Sequence, residues 1–405
     1  MKSFCTLLLL VLALTKIHGQ QEKFQALLDS GKLEFSKTPD QQDYQKALYF
    51  LEKAIEIQPD NSEALYHLGY AYSRLNSQYG SDIIDMNLKL LIRSSKQFEK
   101  VIQLTPNYTG DLVVLDPYSK ISAEWGSMAL KHLYNDKKDS AIWAFKEGKR
   151  RGGFGEFWLK RQEKMLGSCS PNAILFSPGD NITFPIMYLQ TVNQYRQDVK
   201  VVDMGLLSSQ WYPKHLTDKN IVAFDLSETE LDTLQYLAWS DSTITIQDFS
   251  WLVKPTYYDQ YLLRGDLLLL SLIRENLFNS DIYFSQGTSD ESLISLAGLL
   301  SEGLFIQKLE PSAATSLSLD EFKKAATNAL MLFEHLNMNS DDQVLIFDSL
   351  RILIFLKAYL YAETDEISNA REVMKLLEEK AYLDELPFLD TGLNSYFQTL
   401  KLKVR

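Results

Sequence analysis

The sequence predicts a protein of the α plus α/β class: an N-terminal solenoid of helical hairpins, a central and mostly parallel α/β domain, and a C-terminal region of repeat-like helices. Three observations carry this. Residues 21–167 keep helical periodicity throughout and repeat themselves. From residue 168 short apolar runs alternate with helical stretches, and from Leu319 to the end the pattern is helical again. The expected divisions are therefore 1–20, 21–167, 168–312 and 313–405.

The first division reads as a secretory signal. Lys2 supplies a positive start, residues 7–14 an apolar run broken only by small residues, and a cut is expected after Gly19 or Gln20. The run is shorter than the roughly 20 apolar residues a membrane span needs. The competing reading is the buried first helix of a cytosolic protein. Two later apolar stretches, 262–273 and 344–360, carry Arg264, Asp266, Asp348, Arg351 and Lys357, so they predict buried helices and no integral membrane segment.

Of the two cysteines, Cys5 leaves with the signal, and Cys169 alone forms no intramolecular disulfide. Two of the 41 basic residues, Lys2 and Lys16, leave as well, which moves the net charge from −12 to −14. That balance argues against nucleic acid or anionic lipid as partner. The remaining histidines, His67, His132, His215 and His335, have no zinc-type spacing, and neither a Gly-x-Ser-x-Gly elbow nor a phosphate-cradling Gly-Lys-Ser/Thr motif occurs. No cofactor and no metal is expected.

The repeat is clearest at 43–75. Ala47, Phe50, Leu51 and Ala54 recur at helical spacing and close on Pro59; Leu65, Leu68, Gly69 and Tyr72 follow. Small residues let two helices cross closely, large ones fill between them, and proline ends the unit. These residues resemble the tetratricopeptide repeat. A weaker copy closes on Phe98, Val101 and Pro106, a hairpin is expected over 118–135 and 137–151 with Gly152 and Gly153 as cap, and one more helix over 154–166. The resemblance implies a groove for a protein or peptide partner.

In the central division strands are expected at 173–177, 199–202, 221–224, 243–246, 282–284 and 304–308. Helices are expected at 183–196, 228–237, 262–276 and 290–300. In the last division, 365–380 predicts another repeat-like helix with Ala370, Val373 and Leu376 or Leu377 on one face.

Residues 171–212 carry a second resemblance, through Gly179, Asp180, Asn181, Thr183, Phe184, Pro185, Arg196, Asp198, Val199, Trp211 and Tyr212. A further patch runs from Arg264 and Asp266 through Ile282, Tyr283 and Phe284 to Glu302, Gly303, Leu304, Leu309 and Pro311. Together they resemble the soluble portion of a Bacteroidetes family of multi-pass membrane proteins of unknown function, related to protein O-mannosyltransferases (glycosyltransferase family 117). Ile182 and Asp203 depart from its pattern, where Asp and Asn are usual. The family's membrane part, whose loops carry the chemistry of such transferases, has no counterpart here. The resemblance therefore implies company with glycans rather than transfer activity. With the signal, it implies an exported protein of the periplasm or cell envelope of a Gram-negative bacterium.

The candidate site is the turn 179–183, at the carboxyl end of a strand where open α/β sheets bind ligands. Asp180, Asn181 and Thr183 are positioned to grip sugar hydroxyls, with Trp211 or Tyr212 as a stacking face. The alternative is that the three polar residues merely cap the following helix. Asp266 is a second candidate carboxylate, with an ion pair to Arg264 at a helix start as its structural reading. The function expected is an exported binding or scaffold protein with a partner groove and a second ligand site for glycan. The alternative is a glycan-active or transferase-accessory enzyme using Asp180 and Asp266.

Overall fold

The computed structural model describes residues 2–78, 80–288, 294–311 and 315–404, with the side chains of 2–17 and of Ser81 outside the description. The expected signal thus lies mostly outside the described side chains; its backbone from Lys2 runs into the first helix.

Seven α-helices are found among the described residues up to 168: α1 (Lys2–Ser36), α2 (Tyr44–Ile57), α3 (Ser62–Asn76), α4 (Leu88–Leu104), α5 (Pro117–Tyr134), α6 (Lys138–Arg150) and α7 (Glu156–Ser168). Polar caps start them. Asp43, Asn61 and Asp116 each accept a backbone N–H from three residues on, and Pro117 sits at the first turn of α5, where its missing N–H costs nothing. Glycines set the hairpins. A β-carbon on Gly31 of α1 would lie 2.6 Å from Leu51 of α2, and one on Gly69 of α3 would lie 2.8 Å from Phe98 of α4. The hairpins are therefore α1/α2, α3/α4 and α5/α6, and the repeat visible at 43–75 is shared between the first two. Gly152, at φ +106°, ends the third, and the N–H of Gly153 closes on Gly148 O at 3.0 Å.

The α/β region holds β1 (Ile174–Ser177), α8 (Asp180–Thr191), β2 (Lys200–Asp203), α9 (Trp211–Asp218), α10 (Glu228–Thr233), β3 (Tyr236–Ala238), β4 (Ser242–Ile246), β5 (Phe249–Val253), β6 (Tyr261–Leu263), α11 (Arg264–Asn276), β7 (Ile282–Ser285) and β8 (Ile306–Lys308). The main sheet has the order β2-β1-β7-β8, with β1 parallel to both neighbours and β8 antiparallel at the edge. Strands β1 and β7 are buried along their whole length, as their unbroken apolar runs require for a parallel sheet covered on both faces. Phe176 and Phe284 stack across them at 4.9 Å.

Several elements differ from expectation. Residues 221–224 form no strand; Val222 fills the core while the N–H of Ala223 and of Asp225 are taken by Asn276 and Ser271 of α11. The strand at 243–246 pairs with β5 in a hairpin, and β3 pairs with β6 around it in sequence, so two antiparallel strand pairs stand outside the parallel sheet. The helix expected from 183 begins at Asp180 and stops at Thr191, and that expected over 228–237 ends at Thr233. The helix expected over 290–300 lies partly outside the described residues, and its described remainder holds one 3-10 turn at Ala297–Leu299.

The C-terminal helices are α12 (Leu319–Leu330), α13 (Asp341–Glu363), α14 (Ile367–Lys380) and α15 (Thr391–Lys403). Buried Asp116 joins them to the repeats. Its carboxylate accepts Ser119 N (2.8 Å) and Asp342 N (3.1 Å), while Asp342 accepts Asp116 N (3.1 Å). Two helix N-termini thus share two carboxylates that offset both macrodipoles. One apolar core runs from Leu65 to Val404, with a smaller one between α1, α2 and α3.

Candidate functional site

Because β1 and β2 are parallel, with Ser177 opposite Asp203, their carboxyl ends lie side by side. β1 is also where the strand order reverses, with β2 on one side and β7 on the other. Gly179 leaves β1 at φ +71°, ψ 176°, a conformation that other residues strongly resist, and α8 starts directly after it. No side chain caps α8. That corrects the capping alternative: Asp180, Asn181 and Thr183 are free of that duty, because the sharp glycine turn places them inside the first helical turn.

The three residues take different roles. Thr183 is fully buried, and its hydroxyl meets Ser177 Oγ at 2.8 Å and donates to the Asp203 carboxylate. Asn181 points its Oδ1 into a buried place without a partner. Its carbonyl is freed because Pro185, four residues on, has no N–H to give; Gln162 of α7 donates to it instead at 3.0 Å. Asp180 stays exposed to a cleft, and its carboxylate has no hydrogen-bond or ion-pair partner among the described residues.

That cleft, of about 290 Å³, lies between the strand ends and the repeats. Ser73 and Arg74 of α3, and Lys120, Ala123, Glu124 and Ser127 of α5, form its far wall. On α5 the spacing i, i+3, i+4, i+7 puts all four on one helix face. Glu124 is buried; its Oε1 accepts from Ser73 Oγ (2.5 Å) and Lys120 Nζ (2.8 Å), while its Oε2 has no partner. Arg74 gives Nη1 to Gln78 O at 3.1 Å and leaves Nε unpartnered. Desolvation within the cleft raises the pKa of Asp180, although the residue keeps exposed surface, and Glu124 adds to that, while Lys120 and Arg74 oppose it. Burial also holds Asp203 up at about 6, against the Thr183 hydrogen bond and with a contribution from Asp180. Asp203 is 4% exposed, and its Oδ1 accepts Leu206 N at 3.0 Å.

The remaining candidates are not brought to this cleft. Tyr212 is buried, and its hydroxyl accepts Asp203 N at 2.9 Å, fixing the end of β2. Trp211 is 7% exposed and donates from its indole to Gly80 O at 3.0 Å. Neither offers a stacking face, because the helix they start packs its aromatic side against Tyr134 of α5. Asp266 lines a separate recess with Gly179 and Gly205, and its carboxylate accepts Leu263 N at 3.0 Å and the Thr256 hydroxyl. It caps α11 and does not pair with Arg264, whose guanidinium is spent on the carbonyls of Leu231, Leu234 and Ser209.

Sequence reasoning missed Arg74, Lys120 and Glu124. Their charges sit on repeat helices and read there as solvated positions; only the face spacing on α5 hinted otherwise. It also took the repeat groove as open. In the structure Tyr66 and Tyr70 of α3 bind the chain's own segment: Tyr66 receives Val113 N (3.0 Å) and donates to Leu115 O (2.8 Å), and Tyr108 stacks on Tyr66 at 4.7 Å.

No helix among the described residues is long and apolar enough to cross a membrane. Two families match parts of the chain: TPR repeat at residues 40–76 and TMEM260-associated domain 2 at residues 160–249. No curated protein and no solved structure matches. The second match spans Gly179, Asp180 and Asp203, whereas Arg74, Lys120 and Glu124 lie before it. The chain thus carries a segment similar to a TPR repeat and a segment similar to TMEM260-associated domain 2, and both contribute residues to the cleft, Ser73 and Arg74 from the first and Gly179, Asp180 and Asp203 from the second.

Proposed function

We propose that this is an exported binding protein. Its repeats engage a protein partner, and the cleft between the repeats and the α/β strand ends takes a small polar ligand, the sugar end of a glycan. The observation that supports the ligand reading is that side chains lining one cleft carry polar atoms without a partner among the described residues: the Asp180 carboxylate, and the buried Glu124 Oε2 and Arg74 Nε. A buried acceptor without a donor costs free energy, of order 1–3 kcal/mol, which a bound hydroxyl restores. Sugar hydroxyls both donate and accept, and so serve the carboxylates and the guanidinium together. The positive start of the chain and its apolar run support export.

The enzyme alternative needs Asp180 and Asp266 to act on one substrate. Asp266 is committed to the start of α11, so binding is the reading we adopt.

Saturation-transfer NMR with a panel of hexoses and amino sugars tests it. A monosaccharide signal is expected in the wild type, weakened roughly tenfold or more in Asp180→Asn and Glu124→Gln. The Tm of Asp180→Asn should stay within about 1 °C, since that carboxylate holds nothing in the fold. An unchanged sugar signal in both variants, or no signal from any sugar, would sink the proposal.

A further inference from the structure

A second cavity, of about 540 Å³, lies further along the same seam, lined by the later turns of α5 and α8, the first residues of β2, and α9. The contact between Phe184 of α8 and Gly126 of α5, where a β-carbon would come within 2.3 Å of the ring, separates it from the polar cleft. Its chemistry is different. Leu130, Leu133, Met187, Leu216 and Ile221 give it an apolar floor. Its size falls in the range of about 300–1,000 Å³ typical of small-molecule sites.

Three polar features bear on an occupant. His215 lines the cavity, is 7% exposed, and no hydrogen bond to its ring nitrogens is present among the described residues. Burial lowers its pKa, so at neutral pH it is an uncharged imidazole able to give or take one hydrogen bond. At the rim the charges are mostly spent: Lys219 pairs with Asp136 at 2.5 Å, and Asp198 with Arg196 at 2.8 Å. Lys200, also on the lining, has no partner among the described residues. An apolar body with an anionic head fits this set: the body on the floor, and the head at the Lys200 ammonium, the lining cation without a partner among the described residues.

We infer that this cavity is a binding site for an alkyl carboxylate. The inference does not depend on the sugar reading, since it uses none of the residues of the polar cleft.

Isothermal titration of the full chain with decanoate tests it, with decanol and decyltrimethylammonium as comparators. Decanoate should bind one to one, with both comparators weaker. Lys200→Gln should lower decanoate affinity roughly five- to tenfold. Met187→Trp, which fills the cavity, should abolish binding; if that variant misfolds, Ile221→Glu at the half-exposed edge should abolish it by repelling the head group. Asp180→Asn should leave decanoate binding intact. No saturable binding of decanoate, or equal affinity in Lys200→Gln and Ile221→Glu, overturns the inference.

Discussion

Asp203 shows how burial gives one carboxylate a double character. Hydrogen bonds from Thr183 and from Leu206 N favour its charge, yet burial and the neighbouring Asp180 outweigh them and hold it at about 6. A folded pKa raised above the unfolded value near 3.9 means the native state holds its proton longer, so this group favours folding less as pH rises through about 4 to 6. Asp203→Asn should remove that slope. Urea midpoints should show the variant gaining on the wild type between pH 4.5 and pH 7.5; a constant difference across that range would show that Asp203 does not titrate there. Asp116, also held at about 6 by burial and by Asp342, acts with the same sign and would remain. Which carboxylates are perturbed was not legible in the sequence: Asp180 and Asp203 were visible as polar residues near strand ends, but what surrounds each carboxyl group is set by segments far away along the chain.

At the scale of elements, the glycines decide how helices meet. Gly31 and Gly69 admit Leu51 and Phe98 from the partner helix of their own hairpins, whereas Gly126 admits Phe184 from α8. The third hairpin closes on itself at Gly148 of α6, where a β-carbon would lie 2.6 Å from Trp125 of α5, and uses Gly126 to seat the α/β region. Gly126→Ala should cost about 1–3 kcal/mol by chemical denaturation, the usual range for overpacking. Adding Phe184→Leu should recover part of that loss, a coupling that a double-mutant cycle measures. Additive losses would mean that the two residues do not compete for space. The sequence revealed the small residues through their placement, but not their different partners, since helical spacing says which face a glycine lies on and nothing about what approaches it. Residues 221–224 teach the same lesson for strands: an apolar run of the right length became a core-filling loop because Asn276 and Ser271 satisfied its backbone.

For the whole molecule, the continuous core is the governing fact. It spans the repeats, the α/β region and the C-terminal helices, and the Asp116–Asp342 exchange locks the start of α5 to the start of α13. Cutting at 167 would expose the faces of α5 and α7 that carry α8. Calorimetry of the full chain should therefore show one cooperative transition, and the fragment 21–167 should lack a sharp one of its own. Two separable transitions in the full chain would instead mean independently stable units. Partner capture is accordingly best attempted with the full chain.

What the sequence by itself determined is the local order: helical periodicity through the repeats, the glycine cap at 152–153, the glycine turn that ends β1, and the buried runs of β1 and β7. These follow from side-chain period and backbone freedom, which are properties of neighbours along the chain. Only the tertiary structure decided what faces what. It put Arg74, Lys120 and Glu124 opposite Asp180, turned Trp211 and Tyr212 into the core, and laid residues 108–115 across the tyrosines of α3. The reason is physical: burial and charge proximity depend on contacts between segments far apart in sequence, and a pattern along one helix records its own faces but not their occupants.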